Sequence, residues 1–234
     1  MNVAIYCLLS GDQLELHRRL LDGLVAQTPG RRITVWLNRP GEATRQYVAG
    51  LPVHVARVDP DNTPKYPAMA RLFAAPIAEE WVCWFDDDSY LQAVERQGEK
   101  QPFAWLNSVR NYLAEHPAAA CLGQAVETAS LPESFWAWPP TRPWHRGVSA
   151  PTPDRGGRRW LRFPHGAYWW LRTEVLRRLQ WPDEALGWAG GQQALGEALR
   201  QHGREVHDLT RHVAVNAAPS RLLEPWRYPW DELR

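Results

Sequence analysis

The chain has 234 residues, 44% of them hydrophobic, enough to bury one large core and short for two full domains. A formal net charge of +1 excludes a globally acidic or basic partner surface, and no apolar run reaches the roughly 20 residues of a membrane span. Cys7, Cys83 and Cys121 all lie in apolar, strand-like runs, which argues against a disulfide framework and for a reducing, cytoplasmic setting. Met1 to Leu9 lacks the basic start and small-residue cleavage site of a signal peptide.

Residues 2–9 read as a buried strand, and Ser10-Gly11-Asp12 turns it into a helix with Leu14, Leu20, Leu21, Leu24 and Val25 on one face. Pro29-Gly30 stops that helix. Ile33 to Leu37 is a second strand, Glu42 to Ala49 a short helix, and Val53 to Val58 a third, alternating strand. This spacing predicts βαβ units with right-handed crossovers and a parallel sheet. After the loop Asp59 to Pro64, Ala68 to Ala78 reads as a helix and Trp81 to Phe85 as a fourth strand. Pro102 to His116 is a helix ended by Pro117, followed by a short strand from Ala118 to Leu122. Residues 124–164 have no clean period but hold Trp136, Trp138, Trp144 and Trp160, so the stretch reads as a long functional loop rather than a disordered one. Gly166 to Leu171 is a strand, Thr173 caps the helix Glu174 to Leu179, and Ala189 to His202 is a helix ended by Gly203. Val206 to Val215 supplies one or two closing strands, and the aromatic tail from Pro219 to Arg234 packs back on the surface.

The chemistry concentrates where Trp81-Val82-Cys83-Trp84-Phe85 runs into Asp86-Asp87-Asp88-Ser89. A strand apolar on both faces is central and buried. Three carboxylates cannot follow it into the core, so they stand at its carboxyl end, where open α/β sheets bind ligands. Adjacent carboxylates raise one another's pKa unless a cation or fixed donors hold them ionised, and a hard divalent ion with oxygen ligands satisfies that need. A solvated acidic turn, or Asp88 or Ser89 capping a helix, is the plainer alternative.

A nucleotide-binding half that ends in Asp-x-Asp resembles the glycosyltransferases of the GT-A fold, nearest to glycosyltransferase family 2. Two further blocks carry the resemblance: His165-Gly166-Ala167-Tyr168-Trp169-Trp170-Leu171-Arg172 with the helix after it, and Leu186-Gly187-Trp188-Ala189-Gly190-Gly191-Gln192-Gln193 leading to Gly203. The resemblance implies a single α/β, Rossmann-like domain with a mostly parallel central sheet flanked by helices. Residues 1–90 would form its nucleotide-sugar-binding half, 91–218 its acceptor half with the 124–164 loop, and 219–234 a tail. It implies transfer of a sugar from a nucleotide-diphosphate sugar to a hydroxyl, with manganese or magnesium as cofactor. Asp86 and Asp87 would contact the donor substrate, Asp86 facing the ribose or base, and Asp86 and Asp88 would hold the metal, with His212 as a late ligand competing with His207 and Asn216. Lys65, Arg71, Gly166, Ala167 and Trp188 would contact substrate, and Trp138 and Trp144 the acceptor.

One departure stands out. Many relatives carry an acidic pair where this sequence has Gly191-Gln192 or Gln192-Gln193, and glutamine accepts no proton at neutral pH. Either Asp183, Glu184 or Glu197 substitutes, or the reaction retains configuration and needs no such base, or the chain is inactive; Gln192 and Glu184 stand with Asp88 as the catalytic candidates. Between Thr141 and Arg178 nine arginines face only Asp154 and Glu174, which suggests a phosphate-bearing acceptor such as a modified nucleic acid, or an Arg/Trp-rich nucleic-acid-binding module without catalysis. Only Lys65 and Lys100 are lysines, so the arginines also reflect general usage. A metal-dependent phosphohydrolase would need more acids or histidines on neighbouring strand ends, and the first three strands end in Ser10, Asn38 and Asp59.

Overall fold

The computed structural model describes residues 1–91, 94–96, 99–101, 105–149, 156–209, 215–217 and 228–233. Its strands are β1 (Val3–Ser10), β2 (Ile33–Asn38), β3 (His54–Asp59), β4 (Trp81–Asp86), β5 (Ser89–Leu91), β6 (Val94–Arg96), β7 (Glu99–Gln101), β8 (Cys121–Thr128), β9 (Leu161–Arg172), β10 (Val206–Asp208) and β11 (Val215–Ala217). Its helices are α1 (Leu14–Gln27), α2 (Glu42–Ala49), α3 (Lys65–Ala74), α4 (Trp105–Glu115), α5 (Glu133–Ala137), α6 (Thr173–Leu179) and α7 (Gly191–Gln201), with 3-10 turns at Pro139–Thr141 and Pro229–Leu233.

Seven strands form one sheet in the order β10-β8-β9-β4-β1-β2-β3. β1 pairs in parallel with β2 and β4, β2 with β3, and β8 with β10. β9 runs antiparallel to both β4 and β8, which makes the sheet mixed but mostly parallel. The apolar runs have the physical cause expected of them: successive side chains point to opposite faces, and both faces are covered. Tyr6, Leu8, Val82 and Trp84 enter a cluster with Tyr66, Met69 and Phe73 of α3, Leu176 of α6 and Leu195 of α7. Ile5, Cys7, Leu9, Cys83 and Phe85 enter the opposite cluster with Leu20 and Leu24 of α1 and Trp105 of α4.

The second half differs from the sequence reading in extent. β9 is twelve residues long rather than six, and β8 continues through Thr128 because it pairs with β9 past a register shift between Gly123 and Ala125. The presumed loop therefore contributes strand at both ends and α5 between them. Trp138 and Trp144 are buried at 4% and 6% exposure. α3 begins at Lys65, three residues earlier than its sequence reading, and the tail returns to the core through Trp230.

Candidate active site

β4 delivers the acidic triplet to the carboxyl edge of the sheet, beside the end of β1, where Leu8 pairs with Asp86. A cleft of about 630 Å³ opens there. Ser10, Gly11, Arg39 and Asn62 line it on the β1–β3 side, Lys65, Asp86, Asp87 and Asp88 at the centre, and His165, Gly166, Ala167, Trp188, Gln192 and Tyr228 on the far side.

The three carboxylates have separate fates. Asp86 shares a strand face with Trp84, whose indole Nε1–H donates to Oδ1 at 2.7 Å, and Oδ2 accepts from Lys65 Nζ at 2.6 Å. Lys65 also donates to the Gly166 carbonyl at 3.1 Å, so one ammonium ties α3, β4 and β9 together. Burial opposes the Lys65 charge, but Asp86 and the neighbouring groups outweigh it and raise its pKa overall. Asp87 turns back to accept the Ser10 amide at 2.8 Å, and its Oδ2 lies 3.6 Å from His17 Nε2. His17 is fully buried, with Nδ1 3.1 Å from Thr44 Oγ1. Asp88 has no ion pair or side-chain partner among the described residues, and burial, then the Asp86 and Asp87 charges, push its carboxyl up to about 6. It is the open carboxylate of the three.

Asp86 is already engaged by Lys65 and Trp84, which makes Asp88 the less encumbered carboxylate of the expected pair, and no group of three ligating side chains occurs among the described residues. A single carboxylate surrounded by excess negative charge suits an ion that takes most of its remaining ligands from diphosphate oxygens and water. His212 lies outside the described residues. The Asn216 backbone pairs with Tyr90 in the small β5–β11 sheet, one strand position beyond Ser89, and His207 is turned instead toward Tyr112.

The candidate bases take different positions. Asp183 is buried and accepts the Arg142 guanidinium and Trp144 Nε1–H. Glu197 is buried against Arg200 and Gln201 on α7. Glu184 is exposed and borders a different depression with Arg142, Arg177 and Trp181. None of the three lines the cleft, whereas Gln192 does. Arg71 is on the exposed side of α3 and also does not line it; Lys65, at the first turn, does. Trp138 and Trp144 are corrected likewise: both rings are core, and Trp144 anchors Asp183.

Several cleft residues are not among the candidates the sequence offers, four of them polar groups of note. Ser10 ends β1 and supplies an amide to Asp87; Arg39 adopts a left-handed backbone (φ 48°) at the end of β2; His165 is half-buried on β9; Tyr228 arrives from the tail. Burial holds the His165 imidazole below its usual pKa, and its Nδ1 accepts the Ala167 amide at 3.3 Å, a tautomer that leaves Nε2–H as a donor. The glycine pair before α7 explains itself sterically. A Cβ at Gly191 would lie 1.9 Å from the Tyr66 ring, and one at Gly190, already at φ +84°, would lie 2.5 Å from the Trp230 ring.

Of the nine arginines between Thr141 and Arg178, Arg142, Arg159, Arg162 and Arg172 pair with Asp183, Glu133, Glu127 and Glu80. Arg177 donates to the Ile77 carbonyl; Arg155 lies outside the described residues, and none of the other eight lines the cleft. Asp59, at the end of the edge strand β3, is held by Thr63 and the Asp61 amide, so it adds no second open carboxylate.

The mixed, mostly parallel sheet flanked by helices is that of the GT-A fold, and comparison with solved structures bears the fold out. The chain is similar to a mannosyltransferase from Pyrobaculum calidifontis in complex with GDP-Man and Mn2+ (TM-score 0.53, 15% identity, 88% of this chain and 54% of that one). It is similar to S. aureus TarS (TM-score 0.54, 14% identity, 89% and 35%) and to GalNAc-T7 with UDP, GalNAc and Mn2+ (TM-score 0.64, 12% identity, 99% and 47%). The chain thus spans from about a third to about half the length of these structures. The sequence matches no protein-family model and no curated protein. No helix among the described residues is long and apolar enough to cross a membrane.

Proposed function

We propose that this chain is a metal-dependent glycosyltransferase that moves a sugar from a nucleotide-diphosphate sugar to a hydroxyl acceptor. The observation that carries the reading is Asp88: an open carboxylate at the end of a buried strand, made costly by two like charges, in a cleft large enough for a nucleotide sugar. The fold shared with structures holding GDP-Man or UDP and Mn2+ supports it.

Asp88 would hold the ion, manganese or magnesium, together with the donor's diphosphate. When bound, the ion neutralises charge on the departing diphosphate. In the transfer, the bond from the anomeric carbon to the phosphate oxygen breaks, with its electron pair leaving on the diphosphate, and the acceptor oxygen bonds to that carbon as its proton passes to an oxygen of the departing diphosphate or to water. The chain's own groups orient and exclude. Lys65 and Trp84 fix Asp86 toward the nucleotide, Ser10 fixes Asp87, and the neutral His165 offers a donor within the cleft. Gln192 orients hydroxyls without taking their proton. That Asp183, Glu184 and Glu197 all stand outside the cleft supports a reading in which none of them replaces the missing acid.

Calorimetric titration with UDP-, GDP-, dTDP- and ADP-sugars, with and without 1 equivalent-excess Mn2+, tests the reading. Binding of at least one donor that depends on the ion supports it; no binding of any donor in either condition overturns it.

A further inference from the structure

The C-terminal segment brings an aromatic ring to the cleft and fixes it there. Trp230 is 2% exposed, with its ring centroid 4.8 Å from Phe135 and 5.8 Å from Trp138. Gly190 leaves the room that this ring occupies. Tyr228 stacks on Trp230 at 4.9 Å with planes 17° apart. Its amide donates to the Asp231 carboxylate at 3.1 Å, and the Asp231 amide donates back to the Tyr228 carbonyl at 3.0 Å. One face of Tyr228 is thus covered by Trp230, while the residue stays part-exposed where it lines the cleft. A ring immobilised in this way offers contact area with little left to order on binding.

The surrounding chemistry is uncharged. On this side the cleft is lined by Tyr66, His165, Trp188 and Gln192 with the Gly166–Ala167 backbone, and the ammonium nearest to them, Lys65, is bound to Asp86. The described arginines that suggested a phosphate-bearing acceptor stand outside the cleft, four of them paired with carboxylates. A phosphate here would meet no unpaired cation among the described residues on this side and would stand near Asp88.

We infer that Tyr228, seated by Trp230, is the platform for an uncharged pyranose ring of the acceptor, whose hydroxyls meet Gln192 and His165. The inference rests on the glycosyltransferase reading and deepens it: the acceptor class is a neutral carbohydrate rather than a nucleic acid or a phosphorylated glycan. The ring presents an apolar C–H face to the tyrosine and its hydroxyl rim to the neutral hydrogen-bonding groups.

The test uses the full chain loaded with UDP or GDP and Mn2+. Saturation-transfer NMR is run with the methyl α- and β-pyranosides of glucose, galactose, mannose and N-acetylglucosamine, with the corresponding 6-phosphates, and with a single-stranded oligonucleotide. At least one unphosphorylated glycoside should bind in preference to its 6-phosphate. Tyr228→Phe should keep that binding, and Tyr228→Ala should weaken it by about tenfold. Calorimetry on the same variants should show the nucleotide affinity unchanged, and circular dichroism their fold intact. Failure of every neutral glycoside to bind, preference for the 6-phosphate or the oligonucleotide, or unchanged glycoside binding in Tyr228→Ala overturns the platform. Loss of nucleotide binding by the wild-type chain overturns the glycosyltransferase reading instead.

Discussion

Asp183 separates structural from chemical acids most sharply. Its side chain is 2% exposed and accepts hydrogen bonds from Arg142, from Trp144 Nε1 at 2.7 Å and from the Ala185 amide at 3.0 Å. Asp183→Ala leaves a guanidinium that is only 21% exposed without its counter-charge, and an indole N–H without its acceptor. Removing one partner of a buried pair costs about 3–5 kcal/mol. For a chain of this length each kcal/mol lowers Tm by roughly 2–4 °C, so thermal unfolding followed by circular dichroism should shift down by roughly 6–20 °C. Arg142→Ala should cost less alone, and the double variant Arg142→Ala/Asp183→Ala should recover part of the loss, because the uncompensated charge disappears. Nucleotide binding measured well below the new Tm should be unchanged. A Tm shift under about 2 °C together with loss of nucleotide binding or transfer would refute the assignment and return Asp183 to the chemistry.

Gly191→Ala should lower stability by about 1–3 kcal/mol, because its Cβ would meet the buried Tyr66 ring, whereas Gly187→Ala, with nothing within 4 Å, should leave Tm unchanged; equal effects of the two would contradict the steric account. Lys65→Met and Asp86→Asn should be coupled by about 1–3 kcal/mol in a double-mutant cycle on chemical denaturation, and strict additivity would show that the 2.6 Å contact carries no energy. Burial holds His202 and His207 below the usual histidine value, with Arg146, Arg178 and Arg204 acting in the same direction on the first, and His116 and Arg162 on the second. The Trp144 carbonyl and Glu205 oppose these shifts only in part. The unfolded chain therefore takes up protons first, and stability should be full above about pH 6.5 and fall as pH drops from there through the folded pKa values. Replacing both histidines by glutamine should flatten the decline between pH 6.5 and 5, and an unchanged slope would show that other groups cause it.

The site's centre was legible because two incompatible demands met within eight residues: an apolar strand buried on both faces, and acids that cannot follow it inside. β1 and β2 were legible as apolar, fully buried runs and β3 as an alternating, exposed edge strand, their ends falling at Ser10, Asn38 and Asp59 as the turn residues indicated. Arg71 was misplaced although the signal was present: Tyr66, Met69 and Phe73 with Ala68 and Leu72 mark the inner face of α3, and that phase turns residue 71 outward. The cleft role of Lys65 follows from the same phase once the helix is started at Pro64. The tryptophans between residues 124 and 164 gave no such handle, since an aromatic in a segment without period can be platform or core. Which one it is depends on Asp183 and Trp230, distant in sequence. The antiparallel course of β9 was hidden likewise, because a strand buried on both faces reads the same in either direction. The arginine run was misleading because its carboxylate partners Glu80, Glu127, Glu133 and Asp183 lie mostly outside it.

The central claim is that Asp88, and not Asp86, holds the ion together with the diphosphate. Titrating Mn2+ into the chain saturated with UDP or GDP, for wild type, Asp88→Asn and Asp86→Asn, tests it most directly. The account predicts nucleotide-dependent Mn2+ binding in the wild type and in Asp86→Asn, lost in Asp88→Asn with the fold retained by circular dichroism. Unchanged Mn2+ binding in Asp88→Asn, or loss confined to Asp86→Asn, would contradict it.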